Sequence, residues 1–426
     1  MNAKWIHPAD LICMVMQRIY DRGLTTLTGG NLSVMDDEGV MWVSPTNVDK
    51  GSLTRDDIVR VYPDGHFEGK HRPSSEYRIH HRILKEHPNF RAVLHAHPPA
   101  LVTMSVLHEV PDTKLTVAAY EAAGEVGLAE YGMPGTLKLV ECVGDVFNCG
   151  YSAAVLKNHA TFLASQVDLF DAFRRFEQFN STAELQLNAG TLGCLKSLTK
   201  PQIDAYEASV KKYAEAEFSV RSEAELALRR DLTVIARRAY AKGLFTGMFG
   251  SVSARTDGNN FIINPRCRDN ACLSECDFVR VEDGKCERGK TPDDTAEVHQ
   301  AIYRNNPDVN SVIVAAPVCA ASFAVCDRAF DVTIIPESYG VLRNSVRIPF
   351  EALVKDKESI GRTMSLEHPL GIIDHLGIVL AGPSPLYAFD KLEVAEFTAV
   401  SIHQAIRSGK EIKSMTKEQL EEADSQ

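Results

Sequence analysis

Apolar and polar positions form one pattern that occurs twice along the chain. Asp10–Val34 (DLICMVMQRIYDRGLTTLTGGNLSV) and Asp231–Arg255 (DLTVIARRAYAKGLFTGMFGSVSAR) each place apolar residues at helical spacing, then a glycine, a glycine-containing turn and a strand. Gly23 falls opposite Gly243, and Gly30 opposite Gly250. Further on, Met41–Leu53 matches Phe261–Leu273, with Pro45 opposite Pro265. Asp56–Gly65 matches Cys276–Gly284, and Glu86–Ala100 matches Asn305–Ala320. A period of about 219–220 residues is a whole domain rather than a solenoid unit.

Within each half, short β-branched runs alternate with helical runs, and hairpin signals such as Asp64–Gly65 are frequent. This predicts two tandem layered α/β domains, each around a mainly antiparallel sheet. The expected division is a first domain over 1–205, a helical linker over 206–221, a second domain over 222–410 and a charged, frayed tail over 411–426.

The chain has 426 residues, enough for two or three domains that each bury a core. Apolar residues make up 44% and charged residues 24%, the balance of an ordinary globular protein. A net charge of −11 argues against nucleic-acid binding, though a local site can still oppose it and hold an anionic small molecule. The 10 cysteines form no CxxC pair and are expected to be reduced, mostly buried thiols of a cytoplasmic protein. The first residues show no apolar signal region, and no run of 18 apolar residues points to a membrane span.

The candidate chemistry lies in the first half. In RAVLHAHPP (Arg91–Pro99) an apolar strand ends in His-Ala-His, and residues i and i+2 of a strand share a face. His95 and His97 can therefore reach one ion. His159, in the strand-like run SAAVLKNHATFLAS, is the third candidate ligand. Three imidazoles with an open position form a catalytic zinc arrangement. A carboxylate, Glu76, lies upstream in the polar turn RPSSE (Arg72–Glu76).

Six motifs in order make the first half resemble the class II aldolase/adducin family. They are GGNLS (Gly29–Ser33), SPT (Ser44–Thr46), RPSSE (Arg72–Glu76), HAH (His95–His97), YGMPGT (Tyr131–Thr136) and LKNHATF (Leu156–Phe162). The resemblance covers residues 8–185 and, more weakly, 228–408. It implies a three-layer α/β/α fold and a zinc ion, or another divalent first-row metal, held by His95, His97 and His159. It implies Glu76 as acid/base at the carbon–carbon bond and Tyr131 as a proton donor or a packed aromatic. Asn31, Ser44, Thr46, Ser74 and Ser75 match the family's phosphate-binding positions. Asn47 replaces the family glycine after SPT and tolerates a left-handed backbone. Lys157 is assigned no role.

The implied reaction is metal-dependent cleavage or formation of a C–C bond in a ketose 1-phosphate through an enediolate of dihydroxyacetone phosphate. The alternatives are 4-epimerisation, decarboxylation or dehydration of a sugar phosphate on the same scaffold, or a non-catalytic adducin-like role. A homo-oligomer is also implied, in which two tandem chains would mimic a four-domain ring. No nucleic-acid or membrane partner is expected.

In the second half, Thr295 falls opposite Glu76, and Val314 and Ala316 fall opposite His95 and His97. Asp293 and Asp294 replace Ser74 and Ser75, and His375 is read as the surviving third histidine. The second domain is therefore expected to lack the metal site.

Overall fold

The structure, a computed structural model, describes residues 5–425. The chain divides into two compact units, residues 1–113 with 119–184, and residues 114–118 with 185–426.

The first unit is built on an eight-stranded sheet. Its strands are β1 (Asn31–Met35), β2 (Met41–Val43), β3 (Val59–Val61), β4 (Phe67–Glu68), β5 (Ala92–Ala96), β6 (Gly127–Ala129), β7 (Ala153–Leu156) and β8 (Thr161–Ser165). They lie in the order β4-β3-β2-β1-β5-β8-β7-β6. Only β6 and β7 pair in parallel, so the sheet is mainly antiparallel, as the hairpin signals predict. The helices are α1 (Pro8–Asp21), α2 (Tyr77–Glu86), α3 (Pro99–Leu107), α4 (Val117–Ala123), α5 (Leu137–Asn148) and α6 (Leu169–Leu192).

Helix α1 buries Leu11, Ile12, Val15, Met16 and Ile19, the apolar stripe of a 3.6-residue period. Proline lies in its first turn, and the His7 ring accepts from the Ala9 N–H. On one face of the sheet Val43, Val59, Val93, Ala154 and Phe162 pack with Ile79 and Ile83 of α2 and Leu139 and Val143 of α5. Side chains alternate along a strand, so His95 shares the face of Val93 and looks toward α2. By the same rule Asn31 and Ser33 of β1, which pair with His95 and Val93, look that way too.

The second unit repeats the plan with β9 (Ala214–Ala216), β10 (Ser251–Asp257), β11 (Asn260–Ile263), β12 (Val279–Glu282), β13 (Lys285–Glu287), β14 (Ser311–Ala315), β15 (Val346–Ile348), β16 (Leu370–Ile373) and β17 (Gly377–Gly382). Their order is β15-β16-β17-β14-β10-β11-β12-β13-β9. Strand β10 pairs β14 in the register of β1 on β5: Ser251 faces Val314 as Asn31 faces His95. Two sheets flanked by helices form the two tandem α/β domains that the repeat implies.

Three expectations are corrected. The boundary between the units falls at 184/185, within α6, rather than at 205. The stretch 206–221 is not a helical linker, since β9 lies in it and pairs in parallel with β13 as an edge of the second sheet. The tail is not frayed but carries a helix over Lys417–Asp424 that starts with a Thr416–Gln419 capping box. The Met415 N–H donates to Thr333 O at 2.8 Å, and Arg343 bridges to Asp424 at 2.7 Å.

Of the 10 cysteines only Cys286 and Cys326 are buried, against the expectation of mostly buried thiols. No helix of the described residues is long and apolar enough to cross a membrane.

Candidate metal centre

The end of β5, the β7–β8 turn and the segment leading into α2 bring four side chains together. His95 lies on β5 itself and His97 just past its end. Their ring centroids are 4.7 Å apart, and those of His95 and His159 are 5.2 Å apart. One ligand atom from each of His95, His97 and His159 lies within 4.8 Å of the other two.

His159 is not in a strand, as its surroundings suggested, but in the tight turn between β7 and β8. Its N–H donates to Leu156 O at 3.1 Å, and Asn158 before it takes φ 55°. Asn is one of the few side chains that accept this left-handed conformation cheaply. The turn aims His159 back at the end of β5. Lys157, in the same turn, pairs with Glu130.

The glycines of GGNLS make room for the histidines. Gly30 has φ 71°, and a Cβ on it would lie 2.8 Å from His95 O. A Cβ on Gly29 would lie 3.1 Å from His97 Nδ1. Any other residue at position 30 would therefore strain the backbone and push β5 away.

A hydrogen bond fixes the tautomer of His95. Its Nδ1 donates to the carbonyl of Thr161 at 3.0 Å, so in the neutral ring the lone pair sits on Nε2. That Nε2 is buried without a hydrogen bond and lies 3.1 Å from Glu76 Oε2. A lone pair facing a carboxylate oxygen at this distance is repulsive unless a positive charge, a proton or a metal ion, lies in contact with both. Glu76 Oε1 is also buried without a partner and lies 3.6 Å from His159 Nε2. Such orphaned atoms fit a cation, and three neutral imidazoles fit a divalent first-row metal.

Burial pushes His97 down to about 3 and His159 to about 4, so both are neutral at pH 7, the form that ligates. Burial of Glu76 pushes its carboxyl up. Positive charge on the His95 and His159 side, with the Asn31 amide, pulls harder the other way and holds it below the usual carboxylate range; with the imidazoles neutral, a bound cation is what supplies that charge.

The remaining predicted residues are placed as follows. Pro45 and Pro73 form an antiparallel bridge, and Thr46 N–H donates to Arg72 O at 3.1 Å, so the SPT and RPSSE segments lie side by side. Asn47 has φ 53°, the left-handed conformation its substitution for glycine requires. Ser44 is fully buried, and its Oγ accepts from the Leu32 N–H at 3.1 Å. Ser74 Oγ accepts from the Glu76 N–H at 3.3 Å. Ser75 and Thr46 are the more open hydroxyls. Asn31 is buried, with its amide occupied by Glu76 and His80. Tyr131 is 46% exposed, and its hydroxyl donates to Met133 Sδ rather than to Glu76 or a triad histidine.

Two residues were missed in the sequence. His80 lies one helical turn beyond Glu76 on α2, fully buried behind Asn31. The polar alternation of Asn31 and Ser33 in a strand with a buried face was the available signal. Lys50 is also fully buried, and its ammonium donates to Pro45 O under the SPT segment. Burial pushes it down to about 8.

One reading of the second unit changes. Asn158 and His375 occupy the same place in their turns. Asn158 has φ 55° and His375 φ 60°, and their N–H groups donate to Ser105 O and Ala324 O at 3.0 Å. The position of His159 is then Leu376, fully buried, whose N–H donates to Ile373 O at 3.1 Å. His375 is thus not the counterpart of His159. Its Nδ1 donates to Leu115 O at 2.9 Å, and its carbonyl accepts from the Val117 N–H at 3.1 Å. The triad positions are Val314, Ala316 and Leu376, all apolar. His375→Asn, the residue its twin turn uses, is expected to leave the bound-metal stoichiometry unchanged and to cost about 0.5–1.5 kcal/mol of stability for the lost bond. Metal analysis and denaturant melts check this, and a halved metal content would refute the register.

Comparison with known proteins gives one family. The model for the class II aldolase and adducin N-terminal domain matches residues 10–187 and again 230–402. The L-fuculose phosphate aldolase of Methanococcus vannielii is 31% identical over 170 residues, 39% of this chain and 88% of that protein. The 3-oxo-tetronate 4-phosphate decarboxylase of Haemophilus influenzae is 28% identical over 180 residues, 41% of this chain and 85% of that protein. A 5-methylthioribulose-1-phosphate/5-deoxyribulose-1-phosphate aldolase of Rhodospirillum rubrum is 32% identical over 117 residues, 28% of this chain and only 52% of the relative. Among solved structures, an L-fuculose 1-phosphate aldolase is 27% identical with a TM-score of 0.43, covering 46% of this chain and 92% of its own.

Proposed function

This chain belongs to the class II aldolase and adducin family, and from that premise we propose that its first unit is a divalent-metal-dependent aldolase acting on a ketose 1-phosphate. The observation that carries the reading is the pair of buried acceptors, His95 Nε2 and Glu76 Oε2, 3.1 Å apart beside two further imidazoles. His95, His97 and His159 would hold the ion, with zinc the first candidate for three nitrogen ligands and an open position. When bound, it would act as a Lewis acid toward the substrate's oxygens.

The chain's own groups do the rest. Glu76 moves the proton at the carbon–carbon bond being made or broken, through the oxygen that carries no hydrogen bond. The Thr46 and Ser75 hydroxyls, with backbone N–H groups of the zipped loops, face the substrate phosphate. The buried Lys50 ammonium below Pro45 adds positive charge under that loop. Tyr131, exposed in the single chain, would act only after moving toward Glu76 or in an assembly of chains. Cleavage yields dihydroxyacetone phosphate and an aldehyde. Aldol cleavage and decarboxylation both pass through an enediolate-type anion, so relatives of both kinds agree with the same acid/base and metal arrangement.

The second unit presents Asp293 and Asp294 in place of Ser74 and Ser75 and apolar residues in place of the histidines, which favours a supporting role without a metal. Zinc-loaded protein is therefore expected to carry one ion per chain, not two. In D2O it should exchange hydrogen at the hydroxymethyl carbon of dihydroxyacetone phosphate, and chelation should stop it. Metal-loaded protein that gives no exchange would sink the aldolase reading and favour decarboxylation of a different phosphate ester.

A further inference from the structure

A directional chain of hydrogen bonds ends on Glu76, and its direction follows from the donors alone. Asn31 Nδ2 donates to Glu76 Oε2 at 2.9 Å. The other end of the amide, Oδ1, can only accept, and it faces His80 Nε2. Nε2 of His80 must then carry the ring proton. Nδ1 keeps the lone pair and accepts the Ser33 hydroxyl at 2.7 Å. Asn31, Ser33, Glu76 and His80 are all buried. Donors run one way, from Ser33 through His80 and Asn31 to one oxygen of Glu76. The other oxygen, Oε1, is left without a hydrogen bond.

The second unit supplies an internal comparison. Its strand β10 puts Ser251 and Ser253 at the register positions of Asn31 and Ser33. His299 lies between them, Nε2 at 2.9 Å from Ser251 Oγ and Nδ1 at 2.7 Å from Ser253 Oγ. The carboxylate position is Thr295, 2.6 Å from Ser251 Oγ. The buried histidine and its serine persist with no carboxylate at the position of Glu76, in a chain that ends instead on Asp293, which accepts from the Thr295 hydroxyl at 2.6 Å. The amide has gone together with the carboxylate. Asp293 can only accept, so the Thr295 hydroxyl accepts from Ser251 and His299 Nε2 donates to Ser251 Oγ: hydroxyls carry in the second unit the direction that an amide carries in the first.

We propose that Asn31 is a positioning residue for Glu76 rather than a phosphate ligand, its amide oriented by His80, so that Oε2 is held and Oε1 alone is free to take or give the proton. This rests on the reading of Glu76 as the acid/base. The hydrogen bond to Oε2 fixes the rotation of the carboxyl plane, which proton transfer at a single carbon requires. Substituting Asn31 should therefore reduce turnover more than substrate binding.

Two measurements on the full chain test this. In histidine-labelled protein, 15N NMR should find His80 as a single Nε2–H tautomer, assigned against the His80→Gln chain. An Nδ1–H tautomer would reverse the chain of donors and overturn the proposal. In the second measurement, Asn31→Ser installs the residue that the twin strand already tolerates beside the same histidine and serine. Hydrogen exchange into dihydroxyacetone phosphate, followed against its concentration, should show kcat down about tenfold to a hundredfold, the scale of lost outer partners at a metal site. KM should change less than about threefold, and zinc content should stay at the parent level. A raised KM with unchanged kcat would make Asn31 a substrate ligand and overturn the proposal. If Glu76→Gln left exchange intact, the reading of Glu76 as the acid/base would fall, and the tautomer of His80 would still decide whether the amide is held in this direction.

Discussion

Replacing Glu76 with glutamine is expected to slow hydrogen exchange into dihydroxyacetone phosphate by about 10²- to 10⁴-fold, the range a positioned acid/base contributes. Glutamine keeps the shape and can still accept the Asn31 N–H through its carbonyl oxygen. It cannot take a proton near neutral pH. Zinc content should stay near one per chain, because the three imidazoles are untouched. Burial pushes the carboxyl of Glu76 up, but positive charge on the His95 and His159 side outweighs it and holds the group below its ordinary range. As a base it is therefore available throughout neutral pH, and exchange should not fall until the pH drops below the usual carboxylate range. Exchange within about threefold of the parent would remove Glu76 from the chemistry. A loss of zinc with the loss of exchange would instead make the carboxylate part of the ion's binding.

Removing one imidazole should have the second large effect, on the metal rather than the proton. His97→Ala is a cleaner variant than His95→Ala. His95 is fully buried and stacks on Phe162 at 4.1 Å, so its truncation would also open a core cavity. His97 is half-buried beyond the strand end. Outer partners of metal ligands already account for 10- to 100-fold in affinity, so loss of a direct ligand should weaken zinc binding by more than about 100-fold. Exchange should vanish at equimolar zinc, and the thermal shift that zinc gives the parent should vanish too, since binding to the folded state is what stabilises it. Titration with a competing chelator reads the affinity. Full zinc retention in His97→Ala would separate the triad from any ion.

Which parts of this were legible in the sequence follows from the range of the interactions involved. The duplication and the antiparallel sheets were legible, because alternation and turn residues act locally. His95 and His97 were legible because strand geometry puts i and i+2 on one face. His159 was found by motif, but its setting was misread. The run around it is apolar enough for a strand, and only the left-handed Asn158 shows the turn. The same ambiguity paired His375 with His159, although the turn hydrogen bonds place it with Asn158. The partners of Asn31 lie 45 and 49 positions away, and no local pattern reports them. The tail was read as frayed from its charge. Its order comes from Thr333 and Arg343, which its composition does not reveal.

The apolar side chains at the three histidine positions of the second unit bear on what it would take to build a metal centre there. Val314 and Leu376 are fully buried. Putting a single imidazole back at either would strand a polar ring in the core, at about 1–3 kcal/mol, with no ion to reward it. The candidate centre of the first unit combines three histidines and a carboxylate, and the second unit has none of the four at the matching positions. Each restored imidazole is disfavoured until the others are in place, so several simultaneous changes separate the second unit from the arrangement of His95, His97 and His159 in the first.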